Sequence, residues 1–181
     1  MREALFFLTD LLSPFSERCP DTEVAEDQDW QLVTYLSGCY LVTPSLAHQL
    51  ARCQLMELVP EEVATELRQI ADNVTLRNQQ FQSQLAEIVA AFDAVSLPYA
   101  VLKGGAYLVV PVYPTPFMRV MADLDLLVVQ ERLEEACGIL AALGYGQVED
   151  ESLERKPALH RHLSPFVHDQ RIAAVELHRA A

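Results

Sequence analysis

A change of hydrophobic period at Leu97-Pro98 restricts this chain more than any other feature. Upstream, Val63, Leu67, Ile70, Val74, Phe81, Leu85, Ile88, Phe92 and Val95 recur at spacings of three, four or seven. That spacing lays one apolar stripe along a helix, or along two nearly collinear helices. Pro60, Glu61 and Glu62 mark its start, because proline and acidic residues suit a helix N-terminus. Beyond Pro98 the apolar runs are short and broken by Gly and Pro, as in strands and turns. The predicted class is therefore α+β. A helical N-terminal region covers residues 1–96, and a small mixed β-sheet with flanking helices covers residues 97–181. Asn78 and polar neighbours fill the middle of the stripe, so it is predicted to pack against the first helices rather than form a coiled-coil seam.

The remaining elements follow from local signals. Residues 2–12 read as a short helix, and the acidic, proline-punctuated "SPFSERCPDTEVAEDQD" reads as a loop. A helix begins near Trp30. Thr43 and Pro44 supply an N-cap and a first helical position for the next one. Downstream, "YAVL" is a strand and "KGGAYLVV" a tight turn entering a helix. "PVYPTPF" is a loop, "ADLDLLVV" a strand, and "QERLEEACGILAALGY" an amphipathic helix closed by Gly144. "SPFVH" and "RIAAVELH" form a hairpin around "DQ".

Composition narrows the function. The net charge of −13 argues against broad binding of long nucleic acids, which needs clustered Lys and Arg. It leaves room for a nucleotide, since a local metal site can bind phosphates within an acidic protein. Cys19, Cys39, Cys53 and Cys137 show no metal-ligand spacing and read as reduced thiols of a cytoplasmic protein. The apolar run in "MREALFFLTDLL" is short and interrupted by Asp10, which fits neither a signal peptide nor a membrane span.

The chemistry is concentrated in "RVMADLDLLV", residues 119–128. Alternation along a strand sends Asp123 and Asp125 to one face and Leu124 and Leu126 to the other. Paired carboxylates in an apolar strand need a basic partner, a shared proton, a metal ion or an exposed edge. Hard oxygen ligands at this spacing suit Mg²⁺. In "IAAVELH" the same alternation groups Ala174, Glu176 and His178 against Val175 and Leu177. Three carboxylates converge if the two strands are neighbours. Lys103, Gly104 and Gly105 sit where a strand passes into a helix, and glycines there let a ligand approach the backbone.

Taken in order, "VLKGGAYL", "RVMADLDLLV" and "VELH" resemble the nucleotidyltransferase superfamily that includes DNA polymerase beta. The closest likeness is to bacterial uncharacterised nucleotidyltransferase family proteins. They share the upstream helical region, an "LPYAVLKG"-like strand, a "DLDLLV" segment, an "LGY" helix end and a terminal "VELH". The likeness runs from about Trp30 to the end of the chain. Two departures stand out: the stretch between Gly105 and Asp123 is long and proline-rich, and the chain stops three residues after His178. The second implies a nucleotidyltransferase core shortened at its C-terminus.

The resemblance implies transfer of a nucleoside monophosphate from an NTP such as ATP to an acceptor hydroxyl, with release of pyrophosphate. It implies two Mg²⁺ ions, with Mn²⁺ as the substitute, held by Asp123, Asp125 and Glu176, and Glu176 as the alternative proton acceptor. Gly104 and Gly105 would meet the phosphates, and Lys103 and Arg119 would neutralise them. His178 shares the Glu176 face, and His162, just before "SPF", would lie near the acceptor. The acceptor is a small molecule, a protein or an RNA end. Two alternatives stay open: a toxin-like transferase of a toxin–antitoxin pair, and a catalytically silent nucleotide-binding or protein-interaction module working through the 63–95 stripe.

Overall fold

The computed structural model describes residues 1–13, 18–110, 112, 118–148 and 163–180. In chain order the helices are α1 (Arg2–Leu11), α2 (Thr22–Glu26), α3 (Trp30–Cys39), α4 (Thr43–Arg52) and the long α5 (Glu61–Ala94). After them come β1 (Tyr99–Val101), α6 (Lys103–Val109), β2 (Asp123–Val129), α7 (Leu133–Ala142), β3 (Gly146–Gln147), β4 (Phe166–Val167) and β5 (Ala174–Ala180). The fold is α+β, as predicted. Short 3₁₀ turns at Met56–Leu58 and Gln130–Arg132 precede α5 and α7. No helix among the described residues is long and apolar enough to cross a membrane.

The chain forms two compact units, divided between Leu76 and Arg77 inside α5, with residues 118–120 joining the first. In the first unit, Phe7, Trp30, Val33, Leu46, Leu50, Val63 and Leu67 are buried together. Phe7 and Trp30 meet edge to face, with ring centroids 5.6 Å apart. Asp29 caps α3 by accepting the Leu32 N–H at 3.1 Å. Thr43 does not cap α4 as expected. It is the first helical residue, and its hydroxyl pairs with that of buried Ser37 at 3.0 Å. The expectation of four reduced thiols is also corrected: Cys19 and Cys53 form a disulfide. Their Cα atoms are 5.5 Å apart, within bridging range, although 34 residues separate them in sequence. Cys39 and Cys137 are unbridged.

The second unit holds a five-stranded mixed sheet in the order β1-β2-β5-β4-β3. β2 and β5 run parallel at its centre, and β1 and β4 flank them antiparallel. One face of the sheet is dry. Leu124, Leu126 and Val128 of β2 and Val175 and Leu177 of β5 pack with Phe81, Leu85, Ile88 and Phe92 of α5. Leu133, Ala136 and Leu140 of α7 complete this core. Each such side chain contributes about 1.5–3 kcal/mol by leaving water. The two halves of the α5 stripe thus serve different cores. Val95 departs from the stripe: it lies just past the last helical residue and is exposed.

Helix ends set the entry of each strand. Ser96 takes φ 52°, and the Leu97 N–H donates to Phe92 O at 2.9 Å, a left-handed stop that turns α5 into β1. The Arg132 guanidinium donates to Ser96 O at 2.7 Å and covers the same helix end. Gly144 (φ 91°) closes α7 in the same way, with Tyr145 N–H donating to Leu140 O at 3.0 Å. β3 and the five-residue α2, which falls inside the segment expected to be a loop, are elements the sequence did not signal.

Candidate active site: an acidic sheet face

The candidate site lies on the face opposite the dry core. The parallel register sets Asp125 directly across from Glu176, Asp123 across from Ala174 and Leu127 across from His178. By alternation, Asp123, Asp125, Glu176 and His178 all project from this face. Asp125 is 1 % exposed, while Glu176 and His178 are partly buried. An ionised carboxylate this deep requires strong partners, and Asp125 has two. The Lys103 ammonium lies 2.6 Å from its Oδ1, and His178 Nε2 lies 2.6 Å from the same oxygen. His178 Nε2 is also 3.7 Å from Glu176 Oε2.

Local structure aims these groups. The backbone of β1 continues past Val101, and the Leu102 N–H donates to Asp125 O at 2.9 Å. Lys103 then opens α6 with φ 48°, a left-handed backbone that L-residues rarely adopt. This turn brings the Lys103 ammonium to Asp125, although the side chain as a whole remains half exposed. The hydrogen bond to Asp125 is the main reason the Lys103 pKa lies above the ordinary lysine value; burial opposes it, and the charges of Asp125, Glu176 and Asp123 add to it. Gly105 is needed for packing. A Cβ there would lie 2.9 Å from Val101 Cγ1 and 3.6 Å from Leu124 Cδ2, so the missing side chain lets α6 sit against the sheet.

Asp125, Glu176 and His178 can each offer one ligand atom, all within 4.8 Å of one another. Two carboxylates suit Mg²⁺ or Mn²⁺, and the imidazole nitrogen adds affinity for Mn²⁺. The donor set therefore fits a divalent cation. Asp123 shares the face one step along β2 but lies outside this group. Gly104 and Gly105 are buried in the first turn of α6. Arg119 falls in the 118–120 segment that groups with the helical unit. His162 lies outside the described residues.

Gln84 is a supporting residue that sequence reasoning missed. It is 2 % exposed on α5, and its side-chain amide donates to Ala173 O at 2.8 Å and accepts from the Ala173 N–H at 3.1 Å. Both polar groups of the residue preceding β5 are thereby fixed. Its signal was a glutamine at core spacing, three residues after Phe81 and four before Ile88. Arg171, just upstream of Ala173, pairs with Glu87 of α5 at 2.7 Å.

A small mixed sheet with helices on one side and an acidic cluster on the other is consistent with a nucleotidyltransferase palm. The chain belongs to the family described as uncharacterised nucleotidyltransferase, whose family model matches residues 26–181. Membership supports nucleotidyl transfer as the general activity, a reaction for which such enzymes generally use divalent metals. No curated protein and no solved structure matches the chain.

Proposed function

We propose that this protein is a metal-dependent nucleotidyltransferase whose reaction is organised on the Asp125–Glu176–His178 face. The register carries this reading: it sets a buried aspartate directly beside a glutamate, at the foot of the strand-to-helix turn that bears Lys103. Family membership supplies the reaction class. Asp125 and Glu176 would hold the cation, with Asp123 beside them, and His178 Nε2 would orient Asp125 through its 2.6 Å contact. A bound divalent cation supplies charge neutralisation for the triphosphate and lowers the pKa of the attacking hydroxyl.

The chain's own groups perform the rest. Lys103 neutralises phosphate oxygens beside the Gly104-Gly105 turn. The acceptor oxygen forms a bond to the α-phosphorus as the bond to the bridging oxygen breaks, and pyrophosphate leaves. The acceptor proton passes to a carboxylate of this face, and Glu176 is that base where the aspartates alone hold the cation. The substrate is an NTP, and the acceptor is a small molecule, a protein or an RNA end. The silent-module alternative loses its proposed surface, because most of the 63–95 stripe is core.

The test is transfer of label from an α-phosphorus-labelled NTP into cell extract, with release of pyrophosphate. Each common NTP is offered with Mg²⁺ and with Mn²⁺. Labelling by the wild type that Asp125→Asn abolishes is the expected result. Labelling unchanged in Asp125→Asn, or release of inorganic phosphate in place of pyrophosphate, would overturn the proposal.

A further inference from the structure

Asp125 presents one oxygen to two donors, and only one of them is free to leave. His178 is 15 % exposed at its side chain and Asp125 is 1 % exposed, whereas Lys103 is 55 % exposed. The Lys103 ammonium sits on a flexible stem and occupies the Oδ1 atom of the same carboxylate that joins Glu176 and His178 in the ligand group. An ammonium and a divalent cation on one carboxylate oxygen repel each other strongly at this depth. Occupation by both is therefore disfavoured. Yet the site needs the lysine when nothing else neutralises Asp125, because an unpaired buried carboxylate is costly.

Lys103 also stands where its release has a use. It is the first residue of α6, directly before Gly104-Gly105. Its left-handed φ of 48° is a strained position for a side-chain-bearing residue, and strain of this kind marks groups whose placement matters. A lysine ammonium binds phosphate as a mobile point charge.

We propose that Lys103 is a resident counter-cation: it neutralises Asp125 in the free protein, yields that carboxylate to a divalent cation, and then meets the incoming triphosphate. The inference rests on the nucleotidyltransferase reading above and adds a regulation to it. Metal and nucleotide then bind with positive coupling, because the metal frees the group that the nucleotide needs. Lys103 weakens the binding of metal alone and strengthens the binding of nucleotide with metal.

The experiment measures Mn²⁺ binding by electron paramagnetic resonance, with and without ATP, for the wild type, Asp125→Asn, Lys103→Gly, Lys103→Met and Lys103→Arg. Glycine accommodates the positive φ, and methionine removes the charge while keeping the stem. Circular dichroism checks that each is folded. Loss of one charge-assisted contact corresponds to about a tenfold change in affinity. Lys103→Gly and Lys103→Met are expected to bind Mn²⁺ alone about tenfold more tightly than wild type, and ATP in the presence of Mn²⁺ about tenfold more weakly. Lys103→Arg is expected to stay near wild type. Suppose instead that wild type binds Mn²⁺, Asp125→Asn does not, and the charge-removing variants bind Mn²⁺ no more tightly than wild type. The exchange is then wrong while the metal site stands. Absence of any Asp125-dependent Mn²⁺ binding in the wild type would overturn the exchange and the enzymatic reading together.

Discussion

Replacing Gln84 with methionine tests how β5 is held in place. Methionine keeps the length and flexibility of the side chain and removes both of its hydrogen-bonding groups. Ala173 is 2 % exposed, so its N–H and C=O would lose their Gln84 partners at 3.1 and 2.8 Å with little access to water. Each unsatisfied buried backbone group costs about 1–3 kcal/mol, and the apolar replacement recovers part of this, leaving a destabilisation of roughly 2–4 kcal/mol. For a chain of this size that is a fall in melting temperature of roughly 5–15 °C. Urea unfolding supplies the free energy, and hydrogen exchange at the Ala173 amide supplies the location. The amide is expected to lose protection selectively. Divalent-cation affinity is expected to fall as well, because β5 carries Glu176 and His178 just beyond this anchor. A loss of less than about 1 kcal/mol, with Ala173 still protected, would refute the reasoning.

Two further outcomes follow from packing and topology. Gly105→Ala forces a Cβ to 2.9 Å from Val101 Cγ1, and a short branched side chain has little room to yield. Overpacking of this kind costs about 1–3 kcal/mol, so urea unfolding of Gly105→Ala is expected to show a lower midpoint, and an unchanged midpoint would mean that α6 can move off the sheet. Cys19→Ser with Cys53→Ser removes a crosslink spanning 34 residues, for which the chain-entropy estimate is about 3–4 kcal/mol. Thiol counting on the denatured, non-reduced wild type is expected to find only Cys39 and Cys137 reactive; four reactive thiols would show that the bridge is absent.

The acidic face was legible from the sequence because it rests on the shortest-range rule in a strand. Leu124 and Leu126 had to be buried, so Asp123 and Asp125 had to share the other side, and the same logic grouped Glu176 with His178. Alternation alone could not make β2 and β5 neighbours; that is a choice of topology, and only the ordered motifs suggested it. Nor could it weight the members of the cluster. His178 and Lys103 both reach Asp125 because one leans diagonally across the ladder and the other follows a left-handed turn. Neither direction is encoded in periodicity. The disulfide was hidden because Cys19 and Cys53 approach each other only through the packing of the helical unit. Val95 was misplaced because helical phase stops having meaning once Ser96 breaks the helix. Gln84 was visible as a polar residue at a core position, but its partner is 89 residues away and has no side-chain signature.

Equilibrium dialysis with ATP tests most directly whether the sheet face bearing Asp125 and Glu176 binds nucleotide through a divalent cation. The wild type is expected to retain ATP in Mg²⁺ or Mn²⁺ and to lose it in EDTA, while a folded Asp125→Asn, Glu176→Gln double variant retains none under any condition. ATP retained in EDTA or by the double variant, or no retention by the wild type with either metal, would contradict the account.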